Sequence, residues 1–190
     1  LSPEWEWRYF SFDPRWTSRE TMASMRNGSG DQFNIVFAER GSVVRVFDHE
    51  SELSPWGRDD GSLVPGLLEG FPDALSHVIT EPAFLTDCGP ETDLTFCAWI
   101  GQHDEIWSVG TVTNDGGATY LLRELLDSTP RSYLQFAHEY HERDVDAEAV
   151  TAIWSGQPLG EQLVTRLNPE ASPRSAIAEA NELGYPIAAV

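Results

Sequence analysis

The chain has 190 residues and a formal net charge of −19, from 31 acids against 12 cationic residues, every one of them an arginine. Without a lysine the chain cannot build a P-loop, the strand lysine of a protein kinase or a Schiff base, and its charge argues against nucleic acid or an anionic membrane surface as ligand. Hydrophobic residues at 41% and aromatic ones at 11% are ample for a folded core.

Residues 4–12 read as a strand with Trp5, Trp7 and Tyr9 on one face, stopped by Asp13-Pro14. Thr17 with Glu20 three positions on is a capping-box pattern, and it predicts a short helix through Met22 and Met25. Asn27-Gly28-Ser29-Gly30-Asp31 is a turn signal. Residues 32–50, QFNIVFAERGSVVRVFDHE, are the centre of the fold. Phe33, Ile35 and Phe37 alternate with Asn34 and Val36; Val43, Arg45 and Phe47 alternate with Val44 and Val46. Period 2 in β-branched and aromatic residues, linked by Glu39-Arg40-Gly41-Ser42, predicts an antiparallel hairpin. Both of its faces are partly apolar, which places it inside a sheet rather than at an edge.

Residues 48–65 have no sustained period and are rich in acids, prolines and glycines, so they read as a long surface loop. Short helices broken at Pro72 are expected within 66–79, irregular chain over 81–90, and a second hairpin of 93–101 with 105–112 around Gln102-His103-Asp104. Beyond Asn114-Asp115-Gly116-Gly117 the periodicity is helical. Leu121, Leu122, Leu125 and Leu126 form one apolar set. Thr129-Pro130 fits N-cap and N1 of a helix carrying Tyr133, Phe136, Ala137 and Tyr140 inward. Asp146 opens a helix with Val150, Ile153 and Trp154 inward, closed by Gly156. Leu159, Leu163, Val164 and Leu167 make the next, and Ser172-Pro173 opens the last, with Ile177, Ala180 and Leu183 inward. The order predicts an α+β fold: a single domain over 1–190, β-rich to 116 and helical from 117. Its mainly antiparallel sheet has about five strands (two hairpins and an N-terminal strand), covered on one face by helices of the C-terminal half.

Chemistry is harder to place. Cys88 and Cys97 are too few for a disulfide framework and read as free thiols in a reducing compartment, Cys97 in a core strand, so a cytoplasmic location is expected. The start, LSPEWEWRYF, has no leader pattern, and no apolar run reaches the length of a membrane span. GxSxG, CxxC and HExxH motifs are absent, and the GxG of Gly28-Ser29-Gly30 lacks the third glycine and precedes a strand. No cofactor is expected. Two constellations remain. His138 and His141 share a helix face beside Glu142 and Asp144 and could begin a metal site, although solvated histidines on an acidic face give the same pattern. Asp48, His49 and Glu50 leave the central strand together, with Asp48 and Glu50 on one side if the strand continues; they are candidates for acid–base work, with Ser51 beside them.

Spread negative charge without a strong catalytic motif points to a binding protein with a basic protein partner. In size, charge and lack of catalytic motif the composition resembles small acidic bacterial immunity and inhibitor proteins, a resemblance that covers no motif. It implies a partner such as a toxin or nuclease. The expected site is the 48–61 loop, with Trp56 as apolar anchor and Glu50, Glu52, Asp59 and Asp60 around it. The alternatives are a hydrolase or metal-dependent enzyme using Asp48-His49-Glu50 or His138/His141, and a structural subunit; either a monomer or a homodimer is compatible.

Overall fold

The computed structural model describes residues 8–85, 92–127 and 129–189. Trp5, Trp7 and Cys88 lie outside the described residues. The chain forms two compact units: Tyr9–Leu122, and Arg123–Val190 with Arg8.

The first unit is built on a six-stranded antiparallel sheet in which every strand lies beside its sequence neighbour, in the order β1 to β6. The strands are β1 Phe10–Asp13, β2 Glu20–Arg26, β3 Gln32–Ala38, β4 Gly41–Phe47, β5 Phe96–Gly101 and β6 Ser108–Val109. The α+β class and the antiparallel sheet agree with the sequence reading; the additional strand is β2, where the capping-box pattern predicts a helix. Thr17 and Glu20 do bond, Oγ1 to Oε2 at 3.2 Å and the Thr17 amide to the Glu20 carbonyl at 3.3 Å, but these are not the side-chain-to-backbone bonds of a capping box, and they close a turn into a strand. Strand pairing on both sides decides this. β2 bonds to β1 and β3, burying Met22 on one face and Met25 on the other, which no single helix face would do.

β3 and β4 are the two central strands. Their connection is tighter than the sequence indicates, because Ala38 already pairs with Gly41 and only Glu39 and Arg40 form the loop. Gly41 therefore opens β4 instead of lying in the turn. It has φ 147°, and a Cβ there would stand 2.2 Å from the Ile100 carbonyl oxygen of β5.

The registers define two faces. Met22, Val36, Val43, Cys97 and Trp99 lie beneath Leu67, Leu75, Val78, Ile79, Phe84 and Leu94 of the segment between β4 and β5, which includes the helix α1, Ser76–Ile79. Met25, Phe33 and Val46 pack on the opposite face against Ala118 and Leu121 of the helix α2, Ala118–Leu121. Cover within this unit thus comes from both faces, not one. Arg45 shares the first face with Val43 and is 2% exposed.

The second unit holds α3 Arg123–Asp127, α4 Pro130–His141, α5 Ala147–Trp154, α6 Glu161–Leu167 and α7 Pro173–Glu182. The predicted caps are present: Thr129, Asp146 and Ser172 each accept from backbone amides of the first turn. Ala149, Leu159, Leu163 and Val164 form the core, with Ile153, Ile177 and Ala180 at its margin. Arg8 donates to both carboxylate oxygens of Glu179. Leu125, Leu126, Tyr140, Trp154 and Leu183 are exposed, against the inward positions that periodicity assigns them. α4, α5 and α6 each bury one adjacent pair, Phe136 with Ala137, Ala149 with Val150 and Leu163 with Val164, and α3 and α7 bury no residue fully. Among the described residues no helix is long and apolar enough to cross a membrane.

Candidate binding site after the central hairpin

Antiparallel pairing of Gln32 with Phe47 brings together the residues just before β3 and just after β4. Asp31 meets Asp48 and His49 there. Asp31 is fixed from behind by Asn27, whose side-chain Nδ2 donates to Asp31 Oδ2 at 2.6 Å and whose Oδ1 accepts the Asp31 amide at 3.1 Å. The other Asp31 oxygen accepts the His49 backbone amide at 3.0 Å and lies 2.6 Å from His49 Nδ1. Asp48 donates its amide to Thr95 Oγ1 at 3.1 Å, and its Oδ1 accepts the Glu50 amide at 3.0 Å. Gly117, at φ 89°, closes the far side; a Cβ there would lie 2.3 Å from Asp48 Oδ2.

The strand ends at Phe47, so Asp48 and Glu50 do not share a strand face; 48–51 is a turn. Glu50 is exposed and outside the cluster, and Ser51 Oγ accepts the Leu53 amide. The hydrogen bond to Asp31 raises the His49 pKa above its ordinary value. Burial alone would raise the Asp31 carboxyl, but hydrogen bonds from the His49 ring, the His49 amide and Asn27 outweigh it and hold the carboxyl below its ordinary range. Asp31, Asp48 and His49 each present one ligand atom within 4.8 Å of the others, so these three residues could hold a divalent cation. The sequence reading does not include Asp31, because the four-residue link it assigns shifts the hairpin register by two residues and sets Asp31 opposite Glu50 instead of Asp48.

The loop continues through a single 3-10 turn, Pro55–Gly57, capped by Ser54 Oγ, which accepts the Trp56 amide at 3.3 Å. Leu53, Ser54 and Pro55 are buried, whereas Trp56 is 49% exposed. Trp56 is neither a free loop residue nor a core flap. Its Nε1 donates to Asp93 Oδ1 at 2.8 Å, and its ring lies 6.4 Å from that of buried Phe47. Glu52, Asp59 and Asp60 are exposed, as is Glu50. Arg58 is turned to the loop itself, with Nε donating to Ser62 Oγ at 3.3 Å and lying 3.9 Å from Asp60 Oδ1. Asp60 accepts the Ser62 amide and hydroxyl, which hold its carboxyl below the ordinary range.

In the helical unit His138 and His141 take separate partners. His138 Nδ1 lies 3.0 Å from Asp144 Oδ1, while the His141 ring sits edge-on to Phe136 and Tyr140, and burial lowers its pKa. Asp31, Asp48 and His49 form the one close group of three or more His, Cys, Asp or Glu among the described residues. A cleft of about 160 Å³ lined by Arg123, Glu124, Asp127 and Glu139 has charges that answer one another, Arg123 Nε donating to Glu124 at 2.6 Å. No family model matches the chain, and no curated protein and no solved structure matches it significantly.

Proposed function

We propose that this is a binding protein whose basic protein partner docks on the loop after the central hairpin. The observation that carries the reading is a tryptophan half exposed on a pinned turn, among exposed carboxylates. Binding energy needs a desolvated apolar centre, and Trp56 supplies one whose position is already fixed. Glu50, Glu52, Asp59 and Asp60 remain solvated at the rim, where charge accelerates encounter more than it adds affinity. An immunity or inhibitor role against a toxin or nuclease would use such a surface.

The test is affinity capture at low salt, repeated with Trp56→Ala. A basic protein should be retained by the native chain, and truncation of Trp56 should cost roughly 2 kcal/mol of its binding. Asp59→Asn with Asp60→Asn should slow association and flatten its salt dependence while changing dissociation little. A captured protein that is acidic, or that ignores both salt and Trp56, would sink the reading.

A second reading is cation-dependent hydrolysis at Asp31, Asp48 and His49, favoured by their 4.8 Å convergence. It calls for calorimetric Mn²⁺ or Zn²⁺ binding that Asp31→Asn abolishes. Heat-silent titrations would remove it.

A further inference from the structure

We infer that the group seated on Trp56 is the guanidinium of a partner arginine, and that Asp93 is the positioning residue that readies the ring for it. The inference rests on the reading of Trp56 as the contact residue, and it specifies the chemistry of what touches it.

Three supports fix the indole. Ser54 Oγ holds the Trp56 amide at 3.3 Å, Asp93 Oδ1 accepts Nε1–H at 2.8 Å, and the Phe47 ring lies at 6.4 Å, tilted by 36°. Asp93 and Phe47 are each 2% exposed, so neither support moves freely. The ring cannot turn inward without breaking a hydrogen bond to a carboxylate, the strong kind. The open half of Trp56 is therefore a preorganised aromatic surface.

That surface favours a cation over an apolar group for two reasons. A hydrogen bond from the indole N–H to a carboxylate leaves the ring richer in electrons, which strengthens the attraction of its face for positive charge. The exposed Glu50, Glu52, Asp59 and Asp60 of the same loop also set up a negative field, which a guanidinium answers and an apolar group does not. The loop's own cation, Arg58, is engaged with Ser62 and Asp60. The same fold already uses this contact internally, with the Arg45 guanidinium 5.0 Å from the centre of the Phe84 ring.

The experiment uses the full chain and two probes, acetylated hexaarginine amide and its uncharged isostere hexacitrulline amide. Binding is followed by calorimetry and by the indole resonance of Trp56, identified by its loss in Trp56→Phe. Trp56→Phe and Trp56→Leu both lose the bond to Asp93, so their difference isolates the aromatic face. Hexaarginine should shift the Trp56 indole resonance and hexacitrulline should not. Affinity should fall from native to Phe to Leu, with Phe about two- to fivefold tighter than Leu, the size of an exposed cation–π contact. For Asp93→Asn, the Trp56 indole proton should move upfield and hexaarginine should bind more weakly, with the spectrum still that of a folded chain and changes beyond Trp56 confined to the neighbourhood of Arg45. An unmoved indole proton overturns the role of Asp93. Equal binding by Phe and Leu, with both weaker than native, overturns the guanidinium while leaving Trp56 as an apolar anchor. Hexaarginine binding that ignores every change at residue 56, or no binding at all, overturns both this inference and the proposed site.

Discussion

Arg45 places a guanidinium inside the sheet's first face, with Nη2 donating to the Asp93 carbonyl at 3.2 Å, the Phe84 ring against it, and Nε without a hydrogen-bond partner among the described residues. Burial pushes its pKa down to about 10, so it remains charged at neutral pH. Arg45→Ala should cost about 3 kcal/mol or more, because it removes a long buried side chain and leaves a cavity. Arg45→Met, which retains most of the volume, should cost distinctly less; denaturant melts of the two variants check this. Cys97 on the next strand is buried and its thiol pushed up to about 12, so it should resist alkylation until the protein unfolds. At the turn after β4, His49 is raised and Asp31 lowered by their shared bond. The His49 contribution to stability is present below the ordinary histidine pKa of 6.5 and is lost as pH rises through the raised value; the Asp31 contribution is present above 3.8 and is lost as pH falls through the lowered value. The pair therefore favours the fold most between those limits. An NMR titration should place His49 above 6.5 in the native chain and bring it back toward 6.5 in Asp31→Asn. Asp48 and His49 are legible in the sequence as a candidate pair. Carrying the alternation past the last strand residue, Phe47, wrongly joins Glu50 to them.

Elements are legible wherever local chemistry and tertiary demand agree. The β3–β4 alternation and the Thr129, Asp146 and Ser172 caps fall into that class. Thr129→Ala should lower stability by about 1 kcal/mol, measured in urea, since its hydroxyl satisfies the Ser132 amide. β2 is illegible for the opposite reason. Its Thr17–Glu20 pattern is a true local signal for a turn, and it is the ladders on both sides that make the next seven residues a strand. Gly41 has the look of a turn glycine but answers a steric demand from β5, which hairpin chemistry alone does not reveal. Gly41→Ala should therefore destabilise by more than a turn substitution would, about 2 kcal/mol or more, because a backbone carbonyl must shift. The exposed Trp154 and Tyr140 mark the limit of periodicity: a heptad-like spacing names a stripe, but the neighbour that covers it is set by the whole chain.

For the whole molecule, −19 charges repel one another across a chain of 190 residues. Screening should raise the thermal midpoint on going from low salt to about 0.15 M, where the Debye length is about 8 Å. A midpoint that falls instead would mean that surface ion pairs outweigh the repulsion. Strand order is not legible in advance, since hairpin signals say which strands are neighbours in sequence but not how a long insertion between them returns. Here it returns to the adjacent place, and the sheet is a meander from β1 to β6. Each strand's partner already exists when that strand is made, so the sheet can assemble in the order in which the ribosome delivers it. One joint interrupts that schedule. β4 is complete at Phe47, but β5 begins at Phe96. At about 5–20 residues per second, Val43, Val44 and Val46 wait roughly 2–10 s as the bare edge of a growing sheet. Nascent chains halted before β5 should accumulate as aggregates or chaperone complexes, and those released after β6 should not.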